Sequence, residues 1–214
     1  MIAITFAHPS ESRDFLRLLG ERHHEVRVLH TGVGGEACRT EIDPFLDAQR
    51  FDFLISSGFA GGADPSLGVA DLLLAENFSD PDLLRRARSA LISRVAKLVT
   101  ADRVIDSAAE RARLAQEHGA AAIDMETEWI AQACAAREIP MLSLRAISDT
   151  IAAPFPAPPE VLFDLERQRT NPWRLTGHLL THPSAIVGLA RFARQVALAR
   201  TRLATALDEL ITLA

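Results

Sequence analysis

Two short segments carry the side chains best placed to do chemistry. Ala122-Ile-Asp-Met-Glu126 ends an apolar run on a Met-Glu pair, and Leu144-Arg-Ala-Ile-Ser-Asp149 ends a second run on Ser148 and Asp149. Carboxylates delivered to the ends of neighbouring strands can divide the labour of breaking a sugar–base bond. One accepts hydrogen bonds from ribose hydroxyls, and the other hands a proton to the departing base. The run Ser56-Ser-Gly-Phe-Ala-Gly-Gly62 would let backbone approach a ligand without a Cβ clash, and its amides can hold an oxyanion or a water. Each feature also has a plainer reading. Asp124, Glu126 and Glu128 could charge a helix N-terminus, Asp149 could open a loop, and the glycines could join two strands.

The elements that must position these groups follow from hydrophobic period and breakers. Short apolar runs at 2–7, 26–30, 51–56, 69–76, 120–124 and 141–147 read as strands, with a further strand over 95–104. Helical periodicity fills Ser10–Leu19 behind a serine cap, Glu36–Ala48, Ala108–His118 and 125–137, and Arg85, Arg86 and Arg88 suggest an exposed helix. Gly58–Gly68 reads as the loop after the third strand. Strands alternating with helices through residue 150 predict an α/β sheet with mostly parallel pairing. The run Ala153-Pro-Phe-Pro-Ala-Pro-Pro159 is stiff and extended. It divides a core, 1–152, from a helical tail, 153–214, that would pack on the core or on a partner.

Composition narrows the classes. A chain of 214 residues with 48% hydrophobic and 24% charged residues is ordinary for a globular domain. A formal charge of −5 with no tyrosine argues against nucleic acid as a partner. Cys38 and Cys134 lack metal-ligand spacing and are expected as buried thiols. No basic leader precedes the first apolar run, so the expected location is the cytoplasm. Between Thr170 and Leu203, Arg174, Arg191, Arg194, Arg200 and Arg202 meet no acidic residue. That is a solvated basic helix face or a surface for peripheral contact with anionic lipid.

Three segments together resemble the nucleoside phosphorylase and nucleosidase superfamily, especially its methylthioadenosine/S-adenosylhomocysteine nucleosidase-like branch. They are residues 55–71, including Ser56-Ser-Gly-Phe-Ala-Gly-Gly62, then Ala122–Thr127 and Leu144–Asp149. The resemblance covers about the first 150 residues. It implies a three-layer α/β/α sandwich with a central mixed, partly barrel-like sheet, here with a helical C-terminal extension, and assembly as a homo-oligomer, usually a dimer. It also implies roles. Glu126 would hold the ribose hydroxyls with Met125 against the sugar, and Asp149, oriented by Ser148, would protonate a purine at N7. Glu11, in His8-Pro-Ser-Glu-Ser12, would activate the nucleophile. Val104 and Ile105 occupy the place where the family binds the base edge through main chain, and Gly58, Phe59 and Ala60 would line the sugar or nucleophile.

Where phosphate-using members tend to carry an Arg-x-Gly-Ser pattern, this chain has Ser56-Ser57-Gly58-Phe59, which favours water over phosphate. The substrate expected is a small purine nucleoside, an adenosine derivative, cleaved without metal or organic cofactor. The tail, Leu175–Ala190 and beyond, looks like the end of hopanoid-associated nucleoside phosphorylases. The alternatives are therefore phosphorolysis of a large 5′-substituted adenosine, such as a hopanoid-linked one, and a nucleoside-binding protein without turnover.

Overall fold

The computed structural model describes residues 1–153, 158, 161, 168, 176, 181–182 and 185–212, the side chains of Glu21 and His23 excepted. The expected proline-rich connection and the first part of the tail lie mostly outside the described residues. Seven strands form one sheet: β1 (Ile2–Phe6), β2 (Val26–His30), β3 (Phe53–Gly62), β4 (Leu72–Ala75), β5 (Arg94–Thr100), β6 (Ala120–Asp124) and β7 (Met141–Asp149). The order is β2-β1-β3-β6-β5-β4-β7, and a further β3–β7 pairing joins the end strand back to the middle. Strands β3, β6, β5, β4 and β7 thus close on one another, with β1 and β2 attached outside the ring. The β3–β6 and β4–β7 pairs are antiparallel, and the others are parallel.

Alternation along the strands sends side chains to three places. Ile2, Ile4 and Phe6 of β1 and Leu142 and Leu144 of β7 face a cluster with α1 (Pro9–Leu19) and α3 (Pro81–Ala90). Ala3, Leu54 and Met141 face the opposite layer, made by α2 (Gly35–Asp47) and α5 (Thr127–Ala135). Leu73, Ala75, Leu98, Ala122 and Ile147 fill the interior of the ring. Helix α4 (Ala108–His118) covers the rim through Leu114 and Ala115, against Ile105 and Ile123. The arrangement is the expected sandwich with a mixed sheet.

Three expectations need correcting. Gly58–Gly62 is not a loop: β3 runs on to Gly62 because Gly58–Gly61 pairs with β7. The first helix is capped by His8, not Ser10. The His8 ring accepts from the Ser10 amide at 3.2 Å, and Pro9 occupies the first turn, where its missing N–H costs nothing. The fourth strand is shorter than its apolar run, since Ala70 takes a positive φ of 69° in the turn before Leu72.

The final helix, α6 (Ala185–Thr212), is amphipathic. Ala199, Leu203, Ala206, Leu207 and Ile211 join the α1-side core. Arg200 turns inward to Asp14 of α1 at 2.8 Å, so at least this arginine of the basic stretch serves packing. Arg22 and Asp208 form a second tie between the two regions. No helix among the described residues is long and apolar enough to cross a membrane. If α6 is part of the core, Leu207→Ala, at a fully buried position, should lower unfolding free energy by about 2–5 kcal/mol. Urea denaturation measures it, and a loss below about 0.5 kcal/mol would mean that the helix is only laid on the surface.

Candidate active site

The C-terminal ends of β3, β6 and β7 converge on a cavity of about 200 Å³. The turn after β6 presents Met125 and Glu126, the end of β7 presents Ser148 and Asp149, and Glu11 enters from the first turn of α1. Phe59, Ala60, Val104 and Ile105 complete the wall with Val33. Gly58 lies behind it. It lines an adjoining recess of about 10 Å³ with Glu11, Ser57, Glu126 and Arg145. The residues singled out from sequence are therefore brought to one place, with Gly58 one layer deeper than the rest.

The Met-Glu turn is held by charge. Arg145, on the β7 face opposite Leu144, is buried and donates from Nε to Asp124 at 3.1 Å, from Nη1 to Ser56 O at 2.7 Å and Leu144 O at 3.0 Å, and from Nη2 to Ser56 Oγ at 2.8 Å and Thr127 Oγ1 at 2.5 Å. Asp124 also accepts the Thr127 amide at 3.1 Å, capping α5, and the Thr100 hydroxyl at 2.8 Å. Asp124 thus takes the helix-capping role, which leaves the Glu126 carboxylate, only 8% exposed, to face the cavity. The Gly34 amide reaches Glu126 Oε1 at 2.6 Å. Gly34 does so with φ at 92°, in a loop otherwise steadied by Gln168 bonding both polar groups of Val33.

Glu11 both caps the first helix and reaches the cavity. Its carboxylate accepts the Ala7 amide at 3.0 Å and the His8 amide at 3.4 Å, closing a capping box, and it also faces the cavity. Burial raises its carboxyl to about 7, against the opposing pull of Arg145 and of the His8, Ala7 and Phe59 amides. The Phe59 ring is half-buried and packs against the α1-side core. Burial, then the neighbouring Asp124 charge, raises Glu126 to about 8. Asp149 is 1% exposed, and its carboxyl is also pushed up by burial. Ser148 donates to Asp149 Oδ1 at 2.7 Å.

The sequence reading missed a cation. Arg111 of α4, 3% exposed, places Nη2 2.5 Å from Asp149 Oδ2 and lines the cavity. Its helical position beside an acidic neighbour resembled an exposed arginine; only closure of the ring brings α4 over the β7 end. Cys38 and Cys134 are buried free thiols, each pushed up to about 12 by burial. Among the described residues, no cluster of three or more His, Cys, Asp or Glu could hold a metal ion.

This geometry can be compared with known proteins. The sequence profile of the phosphorylase superfamily matches residues 76–180, which include the Met125-Glu126 and Ser148-Asp149 segments. Over these residues the chain is similar to the phosphorylase superfamily. It is similar to the 5′-methylthioadenosine/S-adenosylhomocysteine nucleosidase of Staphylococcus epidermidis, at 24% identity over 59% of this chain and 69% of that one. It is also similar to the futalosine hydrolase of Streptomyces coelicolor, at 29% identity over 50% of this chain and 57% of that one. Among solved structures, the native futalosine hydrolase of Helicobacter pylori has a TM-score of 0.74 at 16% identity, covering 100% of this chain and 97% of that one. The 5′-methylthioadenosine/S-adenosyl homocysteine nucleosidase of the same organism has a TM-score of 0.73 at 15% identity, covering 100% and 98%. These structural likenesses establish the fold.

The raised carboxyl of Glu126 makes a stability prediction. Its pKa rises from 4.5 to about 8, so between those values the folded chain holds a proton that the unfolded chain has released. Its stabilising contribution is full below about 4.5 and is lost as pH rises through about 8. Glu126→Gln, which stays neutral, should therefore melt higher than the parent at pH 9 by at least roughly 2–4 °C, the effect of about 1 kcal/mol in a chain of this size. At pH 3.5, below both values, the two should melt together. A gap independent of pH, read by scanning calorimetry, would contradict burial of a titrating carboxyl here.

Proposed function

We propose that this chain hydrolyses the N-glycosidic bond of a purine nucleoside. The observation that carries the reading is the convergence on one cavity of three carboxyl groups in different settings. Glu126 is anchored by a backbone amide and accepts the ribose hydroxyls, a contact that strengthens as positive charge develops at the anomeric carbon. Met125 lies along the sugar. Asp149, steadied by Ser148, delivers its proton to N7 as the C1′–N9 bond breaks, so the base leaves neutral. Glu11 takes a proton from water as the water oxygen bonds to C1′, and the products are free base and free sugar. The nucleosidase and hydrolase names of the similar curated proteins support this reaction class.

The recess behind the cavity favours water as nucleophile. It has about 10 Å³ of room and is lined by Glu11, Arg145 and Ser57. The buried Ser57 Oγ has no hydrogen-bond partner within the described protein. That suits one water and is too small for a phosphate ion. Adenine is the base expected from sequence, and the surroundings of Asp149 bear on that choice below.

Base release followed by chromatography, from purine nucleosides with and without phosphate, tests the reaction. Release without phosphate is expected, with Asp149→Asn and Glu11→Gln each slowing it by about 10²–10⁴-fold. Because Glu11 must be ionised to accept a proton and its carboxyl sits at about 7, kcat/KM should fall as pH drops below 7. Ribose 1-phosphate among the products would replace water with phosphate in this scheme. Binding without any release over hours would reduce the chain to a nucleoside receptor.

A further inference from the structure

The Asp149 carboxylate is not alone at the base end of the cavity. Arg111 Nη2 lies 2.5 Å from Asp149 Oδ2, and Arg111 Nε donates to the Ile105 carbonyl at 2.7 Å. Both atoms belong to cavity-lining residues. The placement is built into the strand beneath. A Cβ at Gly61 would come within 3.1 Å of Nη1 and 3.2 Å of Cζ, so the guanidinium lies flat over a residue that has no side chain. Gly61 is the register partner of Asp149. Burial of the whole pair, 3% exposed for Arg111 and 1% for Asp149, fixes it in place without long surface rotamers.

We infer that Arg111 determines the base, directing the site to 6-oxopurines over 6-aminopurines. The inference rests on the purine nucleosidase reading above. A base whose N7 faces Asp149 turns its six-position toward the same wall. Guanidinium is a donor at all five N–H groups and accepts nothing. With N7 given to Asp149, a 6-oxo base still offers an acceptor at O6, which a guanidinium N–H can meet. A 6-amino base offers a donor beside N7, the pattern matched by Asn or Gln. Against Arg111, an amino group would bring donor to donor. The acceptors it would otherwise use, Asp149 Oδ2 and Ile105 O, already engage Arg111. The expected substrate thus moves from an adenosine derivative to a hypoxanthine or guanine nucleoside.

The test pairs inosine with adenosine, and their 5′-methylthio derivatives with each other, so that only the six-position changes. The parent protein should show kcat/KM roughly 10- to 100-fold higher for the 6-oxo member of each pair. Arg111→Met also removes the ion partner of Asp149, so it should slow both members of a pair, the 6-oxo one more, and bring the two within about threefold. Arg111→Lys, which keeps the charge and donors, should retain part of the preference. Should the Met variant fail to fold, thermal stabilisation of the parent by hypoxanthine and guanine against adenine gives the same ranking without substitution. Equal or faster adenine release by the parent overturns the role of Arg111 and leaves the nucleosidase reading intact. Failure to release base from all four overturns the nucleosidase reading and the inference with it.

Discussion

The site depends on one buried cation. Arg145 lies on a strand whose other face puts Leu142, Leu144 and Ala146 into the core, and an unpaired guanidinium there would be prohibitively expensive. Its five N–H groups instead meet five acceptors, drawn from Ser56, Leu144, Asp124 and Thr127. Those acceptors belong to β3, β6, β7 and the first turn of α5, the elements that deliver the reactive groups. Removing Asp124 alone would strand a buried positive charge at a cost of about 3–5 kcal/mol. The network exchanges desolvation for geometry: it sets where the Met125-Glu126 turn leaves the sheet.

The same charge shapes the acids around it. Glu11 and Glu126 share the space above Arg145, and each is desolvated more than the cation can offset, so their carboxyls stand at about 7 and about 8. The Glu11 charge adds to the forces that push Glu126 up, after burial and the neighbouring Asp124. Asp149 is separated from this pair and answers to a different cation, Arg111. Asp149 and the two glutamates are thus set apart, each side with its own arginine.

Much of this was legible in the sequence, for identifiable reasons. Strand β6 is uniformly apolar until Asp124, so its end is visible as the point where charge begins. The Met125-Glu126 and Ser148-Asp149 pairs stand out by the same logic. What period and composition could not supply was closure of the sheet. Nothing local says that β3 pairs with β7, β6 and β1 at once, and without that pairing Gly58–Gly62 reads as a loop. The cap of α1 was misplaced because histidine is an uncommon N-cap, and Arg111 was invisible because its partner lies 38 positions away on another element.

The glycines of β3 tie these points together. Glycine weakens a strand interior, losing backbone entropy and offering no side chain to pack. Two of those in β3 are explained by charged groups from outside the strand. A Cβ at Gly58 would sit 3.1 Å from the Glu11 carboxylate, and one at Gly61 would sit 3.1 Å from the Arg111 guanidinium. The strand loses side chains where the first helix and α4 lay theirs across it. The two sets of contacts are separate. The Arg145 network fixes where the Met125-Glu126 turn leaves the sheet, whereas Asp149 is paired with the residue lying over Gly61, which comes from a rim helix outside that network. A substitution of Arg111 would therefore act on the surroundings of Asp149 while the contacts of Arg145 stay in place.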